Sequence, residues 1–196
     1  IEGFAQNPPD RCYHCKKELF SKIKHKAEEL GISNVADGSN LDDISDYRPG
    51  MRALQELGTI NPLKMAGMTK ADIRALSREI GLPTWNKPAF ACLASRFPYG
   101  QTITKEKLIR IDRAEQFLLD HGFTQLRVRC HDDVARIEVP AGDRTRFLDD
   151  VVAKEVYRAF QSYGFAYASL DLLGYRMGSM NETLLTSSQQ MTRRHH

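Results

Sequence analysis

The positions of the apolar residues predict helices along most of this chain. In the first half, three apolar patterns with helical spacing each end near a glycine, a residue that often follows the last turn of a helix. A short apolar run between the first two patterns predicts a strand. The helices are predicted over residues 16–30, 49–57 and 70–80, and the strand over 32–36. This alternation indicates a parallel α/β sheet covered by helices.

Two threonines mark helix starts. Thr69 is followed three residues later by Asp72, as in a capping box, and Thr104 precedes a long apolar pattern that ends at Gly122. Beyond that helix the pattern alternates between polar and apolar residues, which is typical of a hairpin with one buried face. The hairpin strands are predicted over 125–130 and 134–139, a further helix over 143–163 and a last strand over 165–172. This order indicates a small α+β domain with an antiparallel sheet.

The change of pattern places a domain boundary within residues 98–104. We therefore expect a first domain over 1–100, a second over 101–184 and a tail over 185–196, whose end lacks apolar periodicity.

Composition narrows the class of protein. The 196 residues carry 28 basic and 25 acidic side chains, and the resulting net charge of +3 is too weak a field to argue for nucleic acid. No apolar run is long enough to cross a bilayer, so no membrane role is expected. The four cysteines and the absence of a signal-peptide pattern favour the cytoplasm and metal or redox chemistry over a disulfide framework.

The cysteines are the first candidates for chemistry. Cys12 and Cys15 are spaced for metal or redox chemistry at the start of the first predicted helix, where the helix dipole favours thiolates. Cys92 lies in a segment with prolines at both ends, which predicts a shaped loop that also carries Ser95 and Arg96. Three thiolates suit an iron–sulfur cluster with one open iron. A structural zinc is an alternative, although a zinc ribbon needs a second close pair that is absent.

Basic residues provide the second set of candidates. Arg127 and Arg129 lie two apart on a predicted strand and therefore share a face, where two guanidinium groups suit a phosphate. The alternative is a solvent-facing strand neutralised by Glu138 or Asp133. Arg176 is a third candidate cation, on a loop flanked by glycines.

A polar loop follows the predicted strand at 32–36. Asp37 and Gly38 begin this loop, which is the position where open α/β sheets bind ligands. A solvated acidic loop is the alternative.

Seven segments, in order, resemble the LarE family of ATP-dependent sulfur transferases in the PP-loop superfamily, which build the nickel-pincer nucleotide of lactate racemase. The segments cover residues 7–17, 36–40, 46–50, 85–88, 91–100, 127–129 and 178–182, and the resemblance runs from Asn7 to Leu184. It implies a PP-loop parallel sheet of the adenine nucleotide alpha hydrolase type, truncated at its N-terminus, followed by the α+β domain for substrate binding or oligomerisation.

The resemblance also implies a reaction. ATP adenylates the carboxylates of a pyridinium mononucleotide, and a sulfur nucleophile then displaces AMP to give thiocarboxylates. One branch of the family sacrifices a cysteine whose position matches Ala91 here. Another holds a [4Fe-4S] cluster with three cysteines that match Cys12, Cys15 and Cys92, and it takes sulfide or another sulfur donor. We therefore expect the cluster route, with the three cysteines both catalytic and metal-binding, and Cys130 structural.

Further site residues follow from the same resemblance. Glu138 is expected to act in catalysis. The residues expected to contact nucleotide, ATP or Mg²⁺ are Asp37, Gly38, Asp46, Arg48, Ser95, Arg96, Arg127, Arg129 and Arg176. The Ser-Gly-Gly-x-Asp-Ser loop of the superfamily is absent from the 196 residues and is expected upstream of Ile1, so the chain alone should be inactive. Family members form homo-oligomeric hexamers. A tRNA-thiolating PP-loop enzyme and a non-catalytic zinc module are the rival interpretations.

Overall fold

The computed structural model describes residues 1, 3–45, 49–87, 91–176 and 179. The chain divides into two compact units, Ile1–Phe90 and Ala91–His196. This division lies before the boundary expected near residue 100. The reason is that Arg96 bonds to Glu115, so the segment around Arg96 packs with the second unit.

The first unit is helical where it is described. Its helices are α1 (Arg11–Glu29), α2 (Pro49–Glu56), α3 (Pro62–Met65) and α4 (Lys70–Glu79). α1 and α2 pack together and bury Ala27, Ala53 and Leu54. α1 begins earlier than expected, because the Arg11 side chain is buried and bonds to Asn7. Cys12 and Cys15 therefore lie within the first turns of the helix.

The expected start of α4 is confirmed. Asp72 donates its backbone N–H to Thr69 Oγ1 at 3.2 Å, and Thr69 donates its own N–H to Asp72 Oδ2 at 2.9 Å. The hydrogen bonds from Thr69 lower the pKa of the Asp72 carboxyl group. The capping box therefore forms from local sequence alone.

The strand expected over 32–36 is reduced to a single parallel bridge between Ala36 and Ile60. Within 1, 3–45 and 49–87 the structure contains no strand. The PP-loop sheet therefore stays a prediction, and the described fold is mixed α/β.

The second unit contains a three-stranded sheet. Its elements are α5 (Lys105–Asp120), β1 (Arg127–His131), β2 (Val134–Glu138), α6 (Ala141–Arg144), α7 (Asp150–Ser162) and β3 (Tyr167–Leu170). The sheet order is β1-β2-β3, with β1 and β2 antiparallel as predicted. The expectation of a wholly antiparallel sheet was wrong, since β2 and β3 are parallel. Helix α7 returns the chain to the same end of the sheet, so β3 runs in the direction of β2.

The long helix expected over 143–163 is interrupted. Asp149 accepts hydrogen bonds from the N–H groups of Val151 and Val152, at 2.8 and 3.2 Å, and so begins α7 as a new helix. Leu148 lies before this cap and is 80% exposed, although the apolar pattern placed it in the core. Phe160 of α7 is fully buried, as expected.

The two faces of the sheet differ in chemistry. Val128, Cys130, Ala135 and Ile137 are buried on one face, and α5 and α7 pack against the sheet. Alternation of side chains along a strand puts the neighbouring positions on the other face. We call this the polar face, and it carries Arg127, Arg129, His131, Arg136 and Glu138. Among the described residues, no helix is both long and apolar enough to span a membrane.

Candidate anion-binding site

Glu138 is the centre of the polar face. It is fully buried and accepts two hydrogen bonds from Arg129, from Nε to Oε1 and from Nη2 to Oε2, each 3.0 Å long. Arg136 Nη2 donates to the same Oε1 at 3.1 Å. One carboxylate thus holds two guanidinium groups in a fixed orientation. Arg129 is thus paired with Glu138, as in the alternative interpretation of this strand, but it is 8% exposed and does not face solvent as that alternative required.

Arg96 and Glu115 form a second buried pair. Arg96 donates from Nε to Oε1 at 2.7 Å and from Nη2 to Oε2 at 2.9 Å. Glu115 Oε1 also accepts the backbone N–H of Val128 at 2.9 Å, at the edge of β1. The pair therefore fastens the loop around Cys92 to both α5 and β1.

Arg96 also holds that loop from within. Its Nη1 donates to the carbonyl oxygens of Ala91 and Cys92 and to Ser95 Oγ, at 3.2, 3.4 and 2.9 Å. Because Arg96 is only 1% exposed, its guanidinium group orients the loop and does not face solvent. The direct phosphate contact expected of Arg96 stays a prediction.

Arg127 differs from Arg96 and Arg129 because no carboxylate of the described residues accepts a hydrogen bond from it. It donates to Leu126 O at 2.8 Å and to the Tyr175 hydroxyl at 3.1 Å. Its guanidinium group also lies 5.0 Å from the centre of the Tyr175 ring, close enough for a cation–π contact. Burial lowers the pKa of Arg127, and the charge of Arg96 lowers it further.

The charges around Arg127 do not balance. Among the described residues of the second unit, the buried charged side chains are Arg96, Arg127 and Arg129 against Glu115 and Glu138, three positive charges for two negative ones. Arginine remains protonated under all ordinary conditions. The cluster therefore favours binding of an anion.

Two serines connect this cluster to flanking segments. Arg129 Nη1 donates to the Ser95 carbonyl at 2.6 Å, and its Nη2 donates to Ser179 Oγ at 2.7 Å. Ser95 contributes its carbonyl here, whereas its hydroxyl accepts from Arg96. Arg129 therefore bridges the polar face and the loop that carries Cys92.

Arg176 belongs to a network at the end of β3. Its Nη1 donates to Asp171 Oδ1 at 3.2 Å, and Arg136 Nη1 lies 3.5 Å from Asp171 Oδ2. Burial alone would raise the pKa of Asp171, but backbone hydrogen bonds from Gly174 and Leu173 and the nearby arginines lower it overall. Asp171 is therefore a carboxylate that extends the network from Glu138 to Arg176.

Gly174 lets Tyr175 reach Arg127. The glycine has a positive φ of 72°, and a Cβ atom there would clash with the carbonyl oxygen of Val139. The next residue, Tyr175, donates its N–H to that same carbonyl at 2.9 Å. A side chain at position 174 would therefore displace the tyrosine that supports Arg127.

None of the four cysteines forms a disulfide. Cys12 and Cys15 lie three residues apart on α1, and Cys92 is exposed just before a short 3₁₀ helix, Leu93–Arg96. Cys130 is fully buried, and burial raises the pKa of its thiol, as suits a structural residue. Within either unit, no three His, Cys, Asp or Glu side chains of the described residues form a metal site. The expected cluster draws ligands from both units and so stays a prediction.

The loop expected near ATP is internally bonded. Asp37 accepts hydrogen bonds from the Ser39 hydroxyl at 2.7 Å and from the Asn61 side chain. Gly38 has open space around it. Asp46 and Arg48 lie outside the described residues.

Several residues of the site were not predicted. Glu115, Arg136, Asp171 and Tyr175 carry the hydrogen bonds described above, yet only Glu115 had a sequence signal. That signal is a carboxylate among the buried positions Ile111, Ala114 and Leu118 of α5, where an unpaired charge would be unfavourable.

The chain is similar to curated proteins from bacteria and an archaeon. A Synechocystis sp. protein described as uncharacterized is 46% identical over 182 residues, which cover 93% of this chain and 68% of the relative. The pyridinium-3,5-bisthiocarboxylic acid mononucleotide synthase of Lactiplantibacillus plantarum is 44% identical over 191 residues, covering 97% and 68%. An uncharacterized protein of Methanocaldococcus jannaschii is 31% identical over 176 residues, covering 90% and 68%. No protein-family model matches the chain.

The similarity to a synthase indicates that the chain belongs to an enzyme. An identity of 44% that covers 97% of this chain and 68% of the synthase also shows the family. The chain belongs to the LarE family.

Proposed function

We propose that this chain is part of an ATP-dependent sulfur transferase that makes the thiocarboxylates of a pyridinium mononucleotide, the precursor of the nickel-pincer cofactor. The name of the Lactiplantibacillus plantarum relative supports the product. The single structural observation that carries the proposal is Arg127, a buried cation without a carboxylate partner among the described residues. A phosphate monoester supplies the negative charge that this cluster lacks.

The polar face would bind the substrate phosphate. Arg129 is held by Glu138 on one side, so its guanidinium group keeps one orientation, and Arg127 is supported by Tyr175. Fixed donors of this kind bind an anion without first having to be ordered. Glu138 then acts by positioning Arg129 and Arg136.

The chemistry proceeds in two balanced steps. A carboxylate oxygen of the pyridinium ring attacks the α-phosphorus of ATP, and the bond to pyrophosphate breaks. Sulfide then attacks the acyl carbon, and the bond to AMP breaks with its electron pair leaving on AMP. Sulfur keeps its oxidation state, so the reaction needs no oxidant. ATP with Mg²⁺ is expected near Asp37 and Gly38, and the enzyme is expected to be a homo-oligomer, a hexamer by family resemblance.

The thiols of Cys12, Cys15 and Cys92 would hold a [4Fe-4S] cluster. None of the three forms a disulfide and none is buried, and thiolate is the ligand that such clusters require. When bound, the cluster supplies an open iron that can carry sulfide. The Cys92 position depends on the Arg96–Glu115 pair, because Arg96 bonds to the carbonyl of Cys92.

Substrate binding is tested with Arg127→Ala. Loss of a charge-assisted contact should weaken binding of a pyridinium mononucleotide by about 10- to 100-fold in titration calorimetry. Arg158→Ala, an exposed arginine on α7, is the matched control and should bind as the wild type does. Unchanged affinity in Arg127→Ala would remove this residue from the site.

The cluster is tested by iron and sulfide analysis of anaerobically purified protein. We expect about four irons per chain, lost in Cys92→Ser and retained in Cys130→Ala. One tightly held zinc in place of iron would instead support a structural zinc module.

A further inference from the structure

We propose that His131 is the third anion contact of the polar face, and that it takes up a proton when an anion binds there. This inference rests on the anion site proposed above and deepens it. It assigns a residue to the exposed end of that site.

The strand geometry aligns three basic side chains. Arg127, Arg129 and His131 occupy alternate positions of β1 and therefore lie on one face of the sheet. Alternate residues of a strand are about 6.6 Å apart, so the row is about 13 Å long. It runs from buried Arg127 to exposed His131. A mononucleotide with anionic groups at its phosphate and on its ring could contact such a row at both ends.

The charged neighbours of His131 lie on β1, on β2 and in the hairpin turn. Arg129 lies two residues away on β1, and Arg136 and Glu138 lie on β2. Asp132 follows in the hairpin turn, where its carboxylate accepts from Gln101 and Lys107. On β3, Tyr167 is in register with Val134, the partner of His131. His131 therefore lies at the edge of a cluster with net positive charge, and the nearby carboxylates of Asp132 and Glu138 accept hydrogen bonds from other residues.

These neighbours set the protonation of the ring. Although His131 as a whole is exposed, partial desolvation of its ring lowers its pKa, and the charges of Arg136 and Arg129 lower it further, against smaller opposing effects of Glu138 and Asp132. The imidazole is then neutral at neutral pH. An anion bound to Arg129 cancels part of that positive field and makes the imidazolium form more favourable. Binding should therefore be tighter below the ordinary histidine pKa of 6.5 than above it.

The experiment uses sulfate, an anion whose own charge stays constant between pH 5.5 and pH 8. Calorimetric titration of the full chain is carried out at both pH values, in two buffers of different ionisation enthalpy, which reports the protons taken up. We expect the wild type to bind sulfate about tenfold more tightly at pH 5.5, with proton uptake. His131→Gln and His131→Asn should bind with the same affinity at both pH values and take up no proton.

A control variant shows whether the pH dependence of sulfate binding comes from His131 or from another histidine. His121 caps the end of α5, and its Nδ1 lies 2.7 Å from Phe117 O, so His121→Gln should keep the pH dependence. Full pH dependence in folded His131→Gln would overturn the role of His131. If the wild type binds sulfate equally well at both pH values and folded Arg129→Gln abolishes binding, the His131 role is wrong and the anion site stands. If the wild type binds no sulfate at either pH, both proposals fail.

Discussion

At the scale of single residues, the site consists of buried charges whose partners are fixed. Arg96 and Glu115 illustrate this, since each is buried and each satisfies the other with two hydrogen bonds. Such a pair adds little stability compared with apolar residues, but removal of one member leaves a buried charge without a partner. The pair instead holds the loop around Cys92 in place, because Arg96 also donates to the Cys92 carbonyl.

Glu115→Ala should therefore destabilise the chain by about 3–5 kcal/mol. The variant leaves the Arg96 charge and the Val128 N–H without their acceptor. Urea unfolding followed by circular dichroism measures the change. Glu155→Ala, at an exposed position of α7, is the control and should unfold near the wild-type midpoint. Equal midpoints for both variants would contradict the assigned role of the pair.

Cys130 should resist alkylation in the native protein. Burial raises the pKa of its thiol, so the reactive thiolate is scarce at pH 8. Iodoacetamide labelling read by mass spectrometry should modify Cys130 much more slowly in buffer than in urea. The raised pKa of the Cys130 thiol also makes the free energy of unfolding depend on pH. Above about pH 8.5 the thiol ionises in the unfolded chain but not yet in the folded one, so the free energy of unfolding should fall as the pH rises. Equal labelling rates in buffer and in urea would show that Cys130 is accessible.

At the scale of elements, helix starts follow local rules, whereas helix lengths and strand partners do not. Thr69 and Thr104 cap α4 and α5 as their sequences predict. Asp149 caps α7 as well, although the apolar pattern continued through it. A cap requires only neighbouring backbone groups, so its signal is local once a start is recognised. The direction of β3 depends on α7, which is a longer-range relation.

Thr69→Ala should destabilise α4 by about 1 kcal/mol, because the first turn loses its side-chain acceptor. Faster hydrogen exchange of the α4 amides measures this local effect. The capping box should also weaken on acidification, since the Asp72 pKa is lowered and its contribution is lost as the pH falls below the ordinary value of 3.8. Glu79→Ala, in the last turn of α4, is the control. Unchanged exchange in Thr69→Ala would show that the cap contributes nothing.

At the scale of the whole molecule, the apolar core is unevenly distributed. Of the buried hydrophobic residues in the described parts of the chain, only Ala27, Ala53 and Leu54 lie in the first unit. The second unit buries larger side chains, including Phe97, Phe123 and Phe160. Since apolar burial dominates folding free energy, the second unit should be the more stable one.

Hydrogen exchange should therefore be slowest in β1 and β2 and faster in α1. The reason is that local opening needs less free energy where few apolar contacts must break. Phe160→Ala should destabilise the second unit by about 3–5 kcal/mol and speed exchange of the sheet. Mass spectrometry of peptic fragments measures both effects. Slower exchange in α1 than in the sheet would contradict this distribution of stability.

The sequence by itself determined the features that need only local information: the starts of α4 and α5, the β1–β2 hairpin and the sharing of one face by Arg127 and Arg129. These depend on caps and on alternation, which act between residues a few positions apart. The motifs also indicated the LarE family, which the similarity to the synthase confirms.

Only the tertiary structure decided which charges are paired. Arg96 and Glu115 are 19 residues apart, and Arg127 and Tyr175 are 48 apart, so no local pattern connects them. The parallel position of β3 was decided in the same way. The physical reason is that a buried charge takes whatever partner packing brings to it, and packing is a property of the whole unit.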